Sequence, residues 1–245
     1  RTKAIIPVHL YGRPAEIGPI AAFAKAHRCA VIEDCAEAHG ARYAGRPVGQ
    51  FSDISCFSFY ANKIVATGEG GMCLTNSEAL ASTMLELRSH GMTPHRWYWH
   101  ERIGYNYRMT NLQAAIGVTQ LGRIEETLER NRRLDRLYRA HLDGIPGIAF
   151  PEPLPVAYDP VVWLVSAQVP ATARARLIAD AAAAEIELRP FFHPLSQMPA
   201  YARYARSCPT SALLAMTGVN LPTSSAVDEG VVERVAALFR DSLRG

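Results

Sequence analysis

The first 34 residues alternate between strand-like and helical patterns. An apolar run over 4–10 ends in a turn that contains glycine and proline, and a helical spacing of apolar residues follows over 15–27. A second apolar run over 29–32 leads directly to Glu33 and Asp34. Strand, helix and strand within about thirty residues form a βαβ unit, whose crossover favours a parallel sheet covered by helices. We therefore predict an α/β fold with a mostly parallel sheet.

The pattern of strands and helices continues towards the middle of the chain. Strands are predicted over 54–60 and 72–75, and Ser77 is a candidate N-cap for the helix that follows them. Asn111 is a candidate cap for one long helical stretch from Leu112 to about Leu142, whose second half is rich in Glu and Arg. These segments extend the first α/β unit.

A change in composition predicts a second domain. Five prolines lie between residues 144 and 160, which is typical of a linker. Beyond this segment the pattern predicts a small α+β unit, with its strands and helices over 161–169, 171–184, 186–189 and 227–243. We predict a first domain over 1–143, which includes the long connecting helix, and a second domain over 144–245.

Charge and cysteine content argue against several classes of function. The net charge is only +3, from 26 basic and 23 acidic residues, and the two signs are interspersed. This balance does not favour binding to nucleic acid or to a membrane surface, and no apolar run is long enough to span a bilayer. The five cysteines form no CxxC pair and are odd in number, so we predict a reduced, cytoplasmic protein with no metal site.

Two residues at predicted strand ends could take part in chemistry. Asp34 ends a buried-looking strand, and ligands of open α/β sheets collect at the carboxyl ends of strands. Lys63 follows the strand that contains Ser58 and precedes the glycine-dense run 68–71. A carboxylate, a hydroxyl and an amine could together hold a charged planar cofactor that carries a phosphate. From position alone, Asp34 could instead cap the next segment, and Lys63 could be a solvated loop residue.

Sequence motifs make the interpretation of Asp34, Ser58 and Lys63 as a cofactor site more specific. Three stretches carry most of the pattern, at 2–12, 31–40 and 56–71, and shorter ones lie at 104–111, 189–195 and 219–222. In this order they resemble the DegT/DnrJ/EryC1/StrS family, which comprises nucleotide-sugar aminotransferases that depend on pyridoxal 5′-phosphate (PLP). The resemblance covers essentially the whole chain. It implies the aspartate-aminotransferase-like fold type I, with part of the large PLP-binding domain followed by a small C-terminal α+β domain.

The resemblance implies a role for each residue near the cofactor. Lys63 would bind PLP covalently and carry the proton between the cofactor and the sugar carbon. Asp34 would pair with the protonated pyridine nitrogen, and Ser58 would bind the phosphate. Glu37 occupies a position near the ring oxygen where many members have Gln. Since an ionised carboxylate cannot donate a hydrogen bond, Glu37 is either protonated there or contacts sugar or water instead.

Other implied roles concern a second subunit and the sugar. Asn106 would reach the PLP phosphate of the neighbouring subunit in a homodimer. Arg108 would be a further contact at this interface, and we assign it with His193 to substrate binding. From the residues alone, Asn106 and Arg108 could instead cap the following helix, and His193 could be a packing residue.

The family pattern begins upstream of this chain. Members carry a preceding part of the large domain that supplies a phosphate-binding turn and an aromatic residue stacked on the cofactor ring. We therefore expect this chain to be an N-terminally truncated piece that binds PLP weakly or not at all and is inactive by itself.

The resemblance also implies the reaction. An amino group would pass from an amino acid, with glutamate as the expected donor, to a nucleotide-linked keto sugar. Glu37, the run 67–71 and residues 98–100 most resemble the subgroup that makes GDP-perosamine, which implies GDP-4-keto-6-deoxymannose as substrate. One alternative is a PLP-dependent sugar dehydratase, although such relatives replace the lysine with histidine. Another is a catalytically inactive partner protein that reuses the fold.

Overall fold

The computed structural model describes residues 1–93 and 95–244, and these residues form two compact units. The strands are β1 (Ala4–Ile5), β2 (Ala30–Asp34), β3 (Arg42–Tyr43), β4 (Arg46–Pro47), β5 (Ile54–Ser58), β6 (Gly71–Leu74), β7 (Tyr158–Asp159), β8 (Val165–Gln168), β9 (Arg189–Pro190) and β10 (Gly218–Leu221). The helices are α1 (Ile17–His27), α2 (Glu78–Arg88), α3 (Asn111–Gly122), α4 (Ile124–Leu142), α5 (Ala171–Ala183), α6 (Pro209–Thr217) and α7 (Glu229–Arg244). Within the described residues, no helix is both long enough and apolar enough to cross a membrane.

The main sheet of the first unit has the strand order β1-β2-β5-β6. The first three strands are parallel, and β6 runs antiparallel to β5. Helix α1 connects β1 to β2 and packs Ile17 and Ala24 against Val31 in a buried cluster. The predicted βαβ unit is therefore present, and it brings the carboxyl ends of β2 and β5 to the same edge of the sheet.

The beginning of the chain departs from the predicted strand. The regular strand covers only Ala4–Ile5, and a 3-10 turn over Leu10–Gly12 follows it. Tyr11 has a positive φ of 53°, and a Cβ on Gly12 would lie 2.2 Å from the carbonyl oxygen of Val161. Close backbone packing, rather than the apolar pattern, decides the conformation here.

The predicted long helix is interrupted. Gly122 ends α3, and the backbone N–H of Arg123 donates to the carbonyls of Gln120 and Leu121 before α4 begins. The bond to Gln120 tightens the last turn of α3, which is a common way to satisfy carbonyls at a helix end. Thr110, and not Asn111, is the N-cap of α3, and it forms a capping box with Gln113. Ser77 caps α2 as predicted, accepting a hydrogen bond from the Leu80 N–H.

The second unit is built around an antiparallel sheet of order β8-β10-β9. Helix α5 packs against α7, and the fully buried side chains include Leu177, Val232 and Phe239. Tyr138 is also fully buried, and its hydroxyl donates a 3.0 Å hydrogen bond to the carbonyl oxygen of Pro222. Burial raises the pKa of this hydroxyl.

The two units divide the chain at positions other than the predicted 143/144. The first unit comprises Arg1–Leu128 and Leu154–Trp163, and the second comprises Glu129–Pro153 and Leu164–Gly245. The division falls inside α4, because Leu128 lies against Gly40 of the first unit whereas Tyr138 bonds within the second. The segment 154–163 returns to the first unit because β7 pairs with β3.

Candidate active site

Two predicted site residues lie at neighbouring strand ends. Asp34 is the last residue of β2 and Ser58 the last residue of β5. Asp34 is in register with Cys56, so the alternation along β5 places Ser58 on the same face of the sheet as Asp34. The Oδ1 of Asp34 accepts a hydrogen bond from the Ala36 N–H, whereas Oδ2 accepts none from the described residues. One carboxylate oxygen therefore remains available to a ligand.

Lys63 lies in a turn beyond β5, and its side chain is only 11% exposed. Its backbone N–H donates to the carbonyl oxygen of Tyr60, which fixes the turn. Its Nζ lies 3.7 Å from Oε1 of Glu37 and 3.8 Å from the ring centroid of Trp163. A nearly buried amine therefore has one carboxylate and one aromatic face as its neighbours.

Opposing effects set the pKa of Lys63. Burial lowers the pKa because the charged ammonium loses hydration, whereas Glu37 and, more weakly, Asp34 raise it. Burial dominates, and the pKa of Lys63 lies below its ordinary value. A lowered amine pKa increases the fraction of neutral amine near neutral pH, which favours both nucleophilic attack and proton transfer.

Glu37 is buried and already has two partners. Its Oε2 accepts a 2.7 Å hydrogen bond from the Tyr11 N–H, and its Oε1 faces Lys63. Burial raises the pKa of Glu37, although the Tyr11 N–H and the Lys63 ammonium oppose this rise. Glu37 therefore forms an ion pair with Lys63, which a neutral Gln side chain at this position could not do.

The glycine-dense run has the backbone freedom that the sequence indicates. Gly68 and Gly70 have φ values of +83° and +144°. A Cβ on Gly70 would lie 2.8 Å from Oγ1 of Thr67, and one on Gly71 would lie 2.8 Å from the carbonyl oxygen of Phe57. The run therefore packs closely against the end of β5, where Ser58 lies.

Sequence reasoning missed a buried network beneath Asp34. Glu33 is fully buried, and its carboxylate accepts four hydrogen bonds, from His9 Nε2, Gly49 N, Phe51 N and Ser52 Oγ. His9 Nδ1 accepts from the Ala15 N–H, which leaves the proton on Nε2 for Glu33. This network anchors the residue immediately before Asp34.

The same network contains ligand atoms at a spacing that could suit a metal. The potential ligand atoms of His9, Glu33 and Cys35 lie within 4.8 Å of one another. However, both ring nitrogens of His9 and both oxygens of Glu33 already bond to protein groups. Burial also raises the pKa of the Cys35 thiol, which disfavours the thiolate that a metal would need. The arrangement is that of a structural hydrogen-bond network.

His39 is a second buried polar residue near Lys63. Within the part of the chain that the structure describes, neither of its ring nitrogens has a hydrogen-bond partner, and its ring lies against Phe57 and Phe59. Burial and the Lys63 ammonium lower the pKa of His39 to about 4, and the nearby Ser58 backbone only partly offsets them. The imidazole is therefore neutral near pH 7 and adds no charge beside Lys63.

The remaining predicted residues lie outside the cluster around Lys63. Asn106 and Arg108 are exposed, and no hydrogen bond or ion pair joins either of them to Asp34, Glu37 or Lys63 among the described residues. The backbone of Asn106 forms an isolated bridge with Ser89. Neither residue caps α3, because Thr110 does so.

His193 belongs to the second unit, where it is exposed and follows β9 (Arg189–Pro190). The assignment of Asn106 to the cofactor and of Arg108 and His193 to the substrate therefore remains a prediction.

Trp163 and Tyr11 are neighbours of the site that the sequence did not single out. The Nε1–H of Trp163 donates to the carbonyl oxygen of Asn62, and its ring stacks on Tyr11 at 6.0 Å. Trp163 comes from the end of a proline-rich segment far along the chain, and no local pattern links it to Lys63. Its apolar surroundings in the sequence are typical of an ordinary core position.

Comparison with known proteins places this geometry in a family. The model of the DegT/DnrJ/EryC1/StrS aminotransferase family matches residues 1–240. The chain is 42% identical to GDP-perosamine synthase of Caulobacter vibrioides over 97% of this chain and 65% of the relative. It is also 42% identical to GDP-perosamine synthase of Escherichia coli O157:H7, over 91% of this chain and 61% of that protein. The chain thus spans less than two thirds of the length of these relatives.

Solved structures give the same fold. An aminotransferase, TlmJ, from Streptoalloteichus hindustanus is 27% identical and superposes with a TM-score of 0.93, over 100% of this chain and 66% of that chain. DesV from S. venezuelae, solved with a ketimine intermediate, is 33% identical with a TM-score of 0.89, and the match covers 100% of this chain and 66% of that chain.

The expected fold type is therefore confirmed, as is the family resemblance. The family match extends over nearly the whole described chain and includes the strand ends that carry Asp34 and Ser58 and the turn that carries Lys63. The chain belongs to the DegT/DnrJ/EryC1/StrS aminotransferase family.

Proposed function

We propose that the whole protein is a PLP-dependent aminotransferase that makes an amino sugar. It moves an amino group from an amino acid, glutamate, to a nucleotide-linked keto sugar, GDP-4-keto-6-deoxymannose. The observation that carries the proposal is the nearly buried Lys63 amine, beside the strand ends that hold Asp34 and Ser58. Identities of 36–42% to three GDP-perosamine synthases support the choice of sugar.

The donor set fits PLP chemically. Lys63 offers an amine for the aldehyde, and its lowered pKa favours the neutral form that such bonding requires. Asp34 offers an uncommitted carboxylate oxygen for a protonated ring nitrogen. Ser58 offers a hydroxyl on the same face of the sheet for a phosphate oxygen. The amine and the carboxylate match the lysine and the ring-nitrogen partner that PLP enzymes use, and the hydroxyl adds one phosphate contact.

When bound, PLP supplies an electron sink that stabilises negative charge at the neighbouring carbon. The protein must then move one proton from that carbon of the amino acid, and later deliver one to the former carbonyl carbon of the sugar. Lys63 is the group for both transfers, because its Nζ is the nearly buried amine of the site. The Glu37 carboxylate, 3.7 Å away, stabilises Nζ while it holds the proton.

Asp34 acts by electrostatics. An ionised carboxylate beside a ring nitrogen stabilises the protonated ring, and the ring cation in turn stabilises the carboxylate. The Ala36 N–H bond to Oδ1 orients the carboxylate so that Oδ2 is left for the ring. Ser58 would donate its hydroxyl proton to the phosphate, and its Oγ accepts a hydrogen bond from the Tyr60 N–H at 3.3 Å.

The proposal includes a homodimer in the cytoplasm. Asn106 would bind the cofactor of the second subunit, while Arg108 and His193 would contact the sugar nucleotide. Exposure of Asn106 and Arg108 supports roles that lie outside their own subunit. The nearby helix α3 also exposes large apolar side chains, with Leu112 80% and Val118 74% exposed. A second copy of the chain would cover such a face.

The test is an amino-transfer assay of the whole protein. Glutamate and GDP-4-keto-6-deoxymannose should yield 2-oxoglutarate and the amino sugar in equal amounts. Lys63→Ala should abolish this transfer, whereas Lys25→Ala, which alters an exposed lysine, should leave it unchanged. Unchanged turnover by Lys63→Ala would exclude the proposed role of Lys63. Consumption of the keto sugar without incorporation of nitrogen would instead indicate a dehydratase.

A further inference from the structure

Trp163 is a buried aromatic residue whose ring lies about as close to the Lys63 amine as the nearest carboxylate oxygen does. The ring centroid lies 3.8 Å from Nζ, well within the range of about 6 Å in which a cation and an aromatic face attract. The nearest carboxylate oxygen, on Glu37, is 3.7 Å from Nζ, which is longer than a hydrogen bond. Among the described residues, Nζ has no shorter polar contact.

The position of Trp163 is fixed from several sides. Its ring N–H donates a 2.7 Å hydrogen bond to the carbonyl oxygen of Asn62, the residue directly before Lys63. Its ring stacks on Tyr11, whose backbone N–H bonds to Glu37. Trp163 as a whole is only 4% exposed. The indole is therefore fixed relative to the turn that carries Lys63, and its aromatic face is directed at Nζ.

We propose that Trp163 is a positioning residue that holds the free, protonated Lys63 amine in place through its aromatic face. The inference rests on the proposed function, in which this amine is released from the cofactor for part of each turnover. A flexible lysine side chain gains many conformations when released, and it must return to one position to transfer a proton. The indole face limits this freedom without consuming the hydrogen bonds that Nζ needs for chemistry.

Three titratable side chains, those of Glu37, Asp34 and His39, interact electrostatically with the Lys63 amine. Glu37 and Asp34 favour the ammonium, and burial disfavours it. His39 is neutral near pH 7 because of its lowered pKa. Trp163 carries no charge, so its contribution can be separated from that of the carboxylates by a substitution that leaves them in place.

The chain is well suited to a direct measurement, because Lys3, Lys25 and Lys63 are its three lysines. The rate at which acetic anhydride modifies each lysine can be followed by mass spectrometry of peptides between pH 6 and 11. Only the neutral amine reacts, so the rate reports the fraction that is unprotonated at each pH. No cofactor or activity is involved in this readout.

Trp163→Leu should accelerate modification of Lys63 about two- to fivefold at neutral pH, which corresponds to losing a typical cation–π attraction. The alkaline plateau should stay unchanged, and the midpoint should move to lower pH. Trp163→Phe keeps an aromatic face but loses the bond to Asn62, and should lie between Leu and the parent chain. Lys3 and Lys25 serve as internal controls with constant rates.

Equal acceleration at every pH would show that Trp163 merely shields Lys63, and would overturn the inference. An unchanged profile, or identical behaviour of the Phe and Leu variants, would also overturn it. If Trp163→Leu does not fold, the comparison of Trp163→Phe with the parent chain decides the matter. The Phe variant must then accelerate the modification of Lys63 at neutral pH measurably, but by less than the two- to fivefold expected for the Leu variant. Failure of the amino-transfer assay would refute the proposed function and leave this measurement unaffected.

Discussion

Replacement of Glu33 by Gln tests whether the buried network holds the strand that ends at Asp34. Glu33 Oε2 accepts from His9 and Gly49, and Oε1 accepts from Phe51 and Ser52. Gln has one oxygen, so its NH₂ group must face one of these two pairs of donors. The His9 proton cannot move to Nδ1, because Nδ1 accepts from the Ala15 N–H.

The less unfavourable orientation places the NH₂ group towards Ser52 and Phe51. The Ser52 hydroxyl can donate to the Ile54 carbonyl and accept from the amide, but the Phe51 N–H loses its acceptor. An unsatisfied buried donor costs about 1–3 kcal/mol, and each remaining bond weakens by about 1 kcal/mol when the charge is lost. The lower cost of burying a neutral amide offsets part of this sum. We expect the free energy of unfolding to fall by about 2–4 kcal/mol.

Urea denaturation of the chain, followed by circular dichroism, measures this change. With a slope of about 3 kcal/mol per M, the midpoint should move by about 1 M. Glu126→Gln removes an exposed carboxylate, 67% exposed and paired with Arg123, and should change stability by less than about 0.5 kcal/mol. Equal midpoints for the parent and Glu33→Gln would refute the reasoning.

The pH dependence of the same unfolding supplies an independent check. Burial acts to raise the pKa of Glu33, but the hydrogen bonds from His9, Gly49, Ser52 and Phe51 prevail and lower it. A lowered folded-state pKa means that the stabilisation is complete above the unfolded value and is lost as pH falls below about 4. Glu33→Gln should therefore lose less stability than the parent chain in this acidic range.

Two further substitutions test separate parts of the chain. Glu37→Gln removes a carboxylate that raises the pKa of Lys63, so modification of Lys63 by acetic anhydride at neutral pH should accelerate; an unchanged rate would show that the ion pair has no influence. Tyr138→Phe in the second unit leaves the Pro222 carbonyl without its buried donor and should lower the free energy of unfolding by about 1 kcal/mol. Urea denaturation measures this loss, and a midpoint equal to that of the parent would contradict the importance of the bond.

The sequence sufficed for those features that depend on local pattern. The βαβ unit, the cap at Ser77 and the strand end at Asp34 follow from apolar spacing and turn residues, whereas the strand predicted over 54–60 ends at Ser58. The break after Gly122 was missed because the apolar and charged pattern continues across it, and only the backbone bonds of Arg123 show where α3 ends.

Contacts between distant segments could not be predicted in this way. His9 is 24 residues from Glu33, and Trp163 is 101 residues from Asn62. Such pairs are decided by the packing of the whole unit, and neither periodicity nor a motif specifies them. The ion pair of Glu37 with Lys63 likewise could not be predicted from local pattern. The carboxylate at position 37, where many members of the family have Gln, nevertheless indicated that this side chain makes a different contact.

The separation between Asn62 and Trp163 has a consequence for biosynthesis. A ribosome must add the remaining hundred residues before the indole exists that contacts the lysine turn, so a nascent chain carries the amine without its aromatic neighbour. Closing so long a loop also slows folding relative to local contacts. Maturation of the amine environment is thus a late event, controlled by the completion of translation through residue 163 rather than by the early formation of the strands.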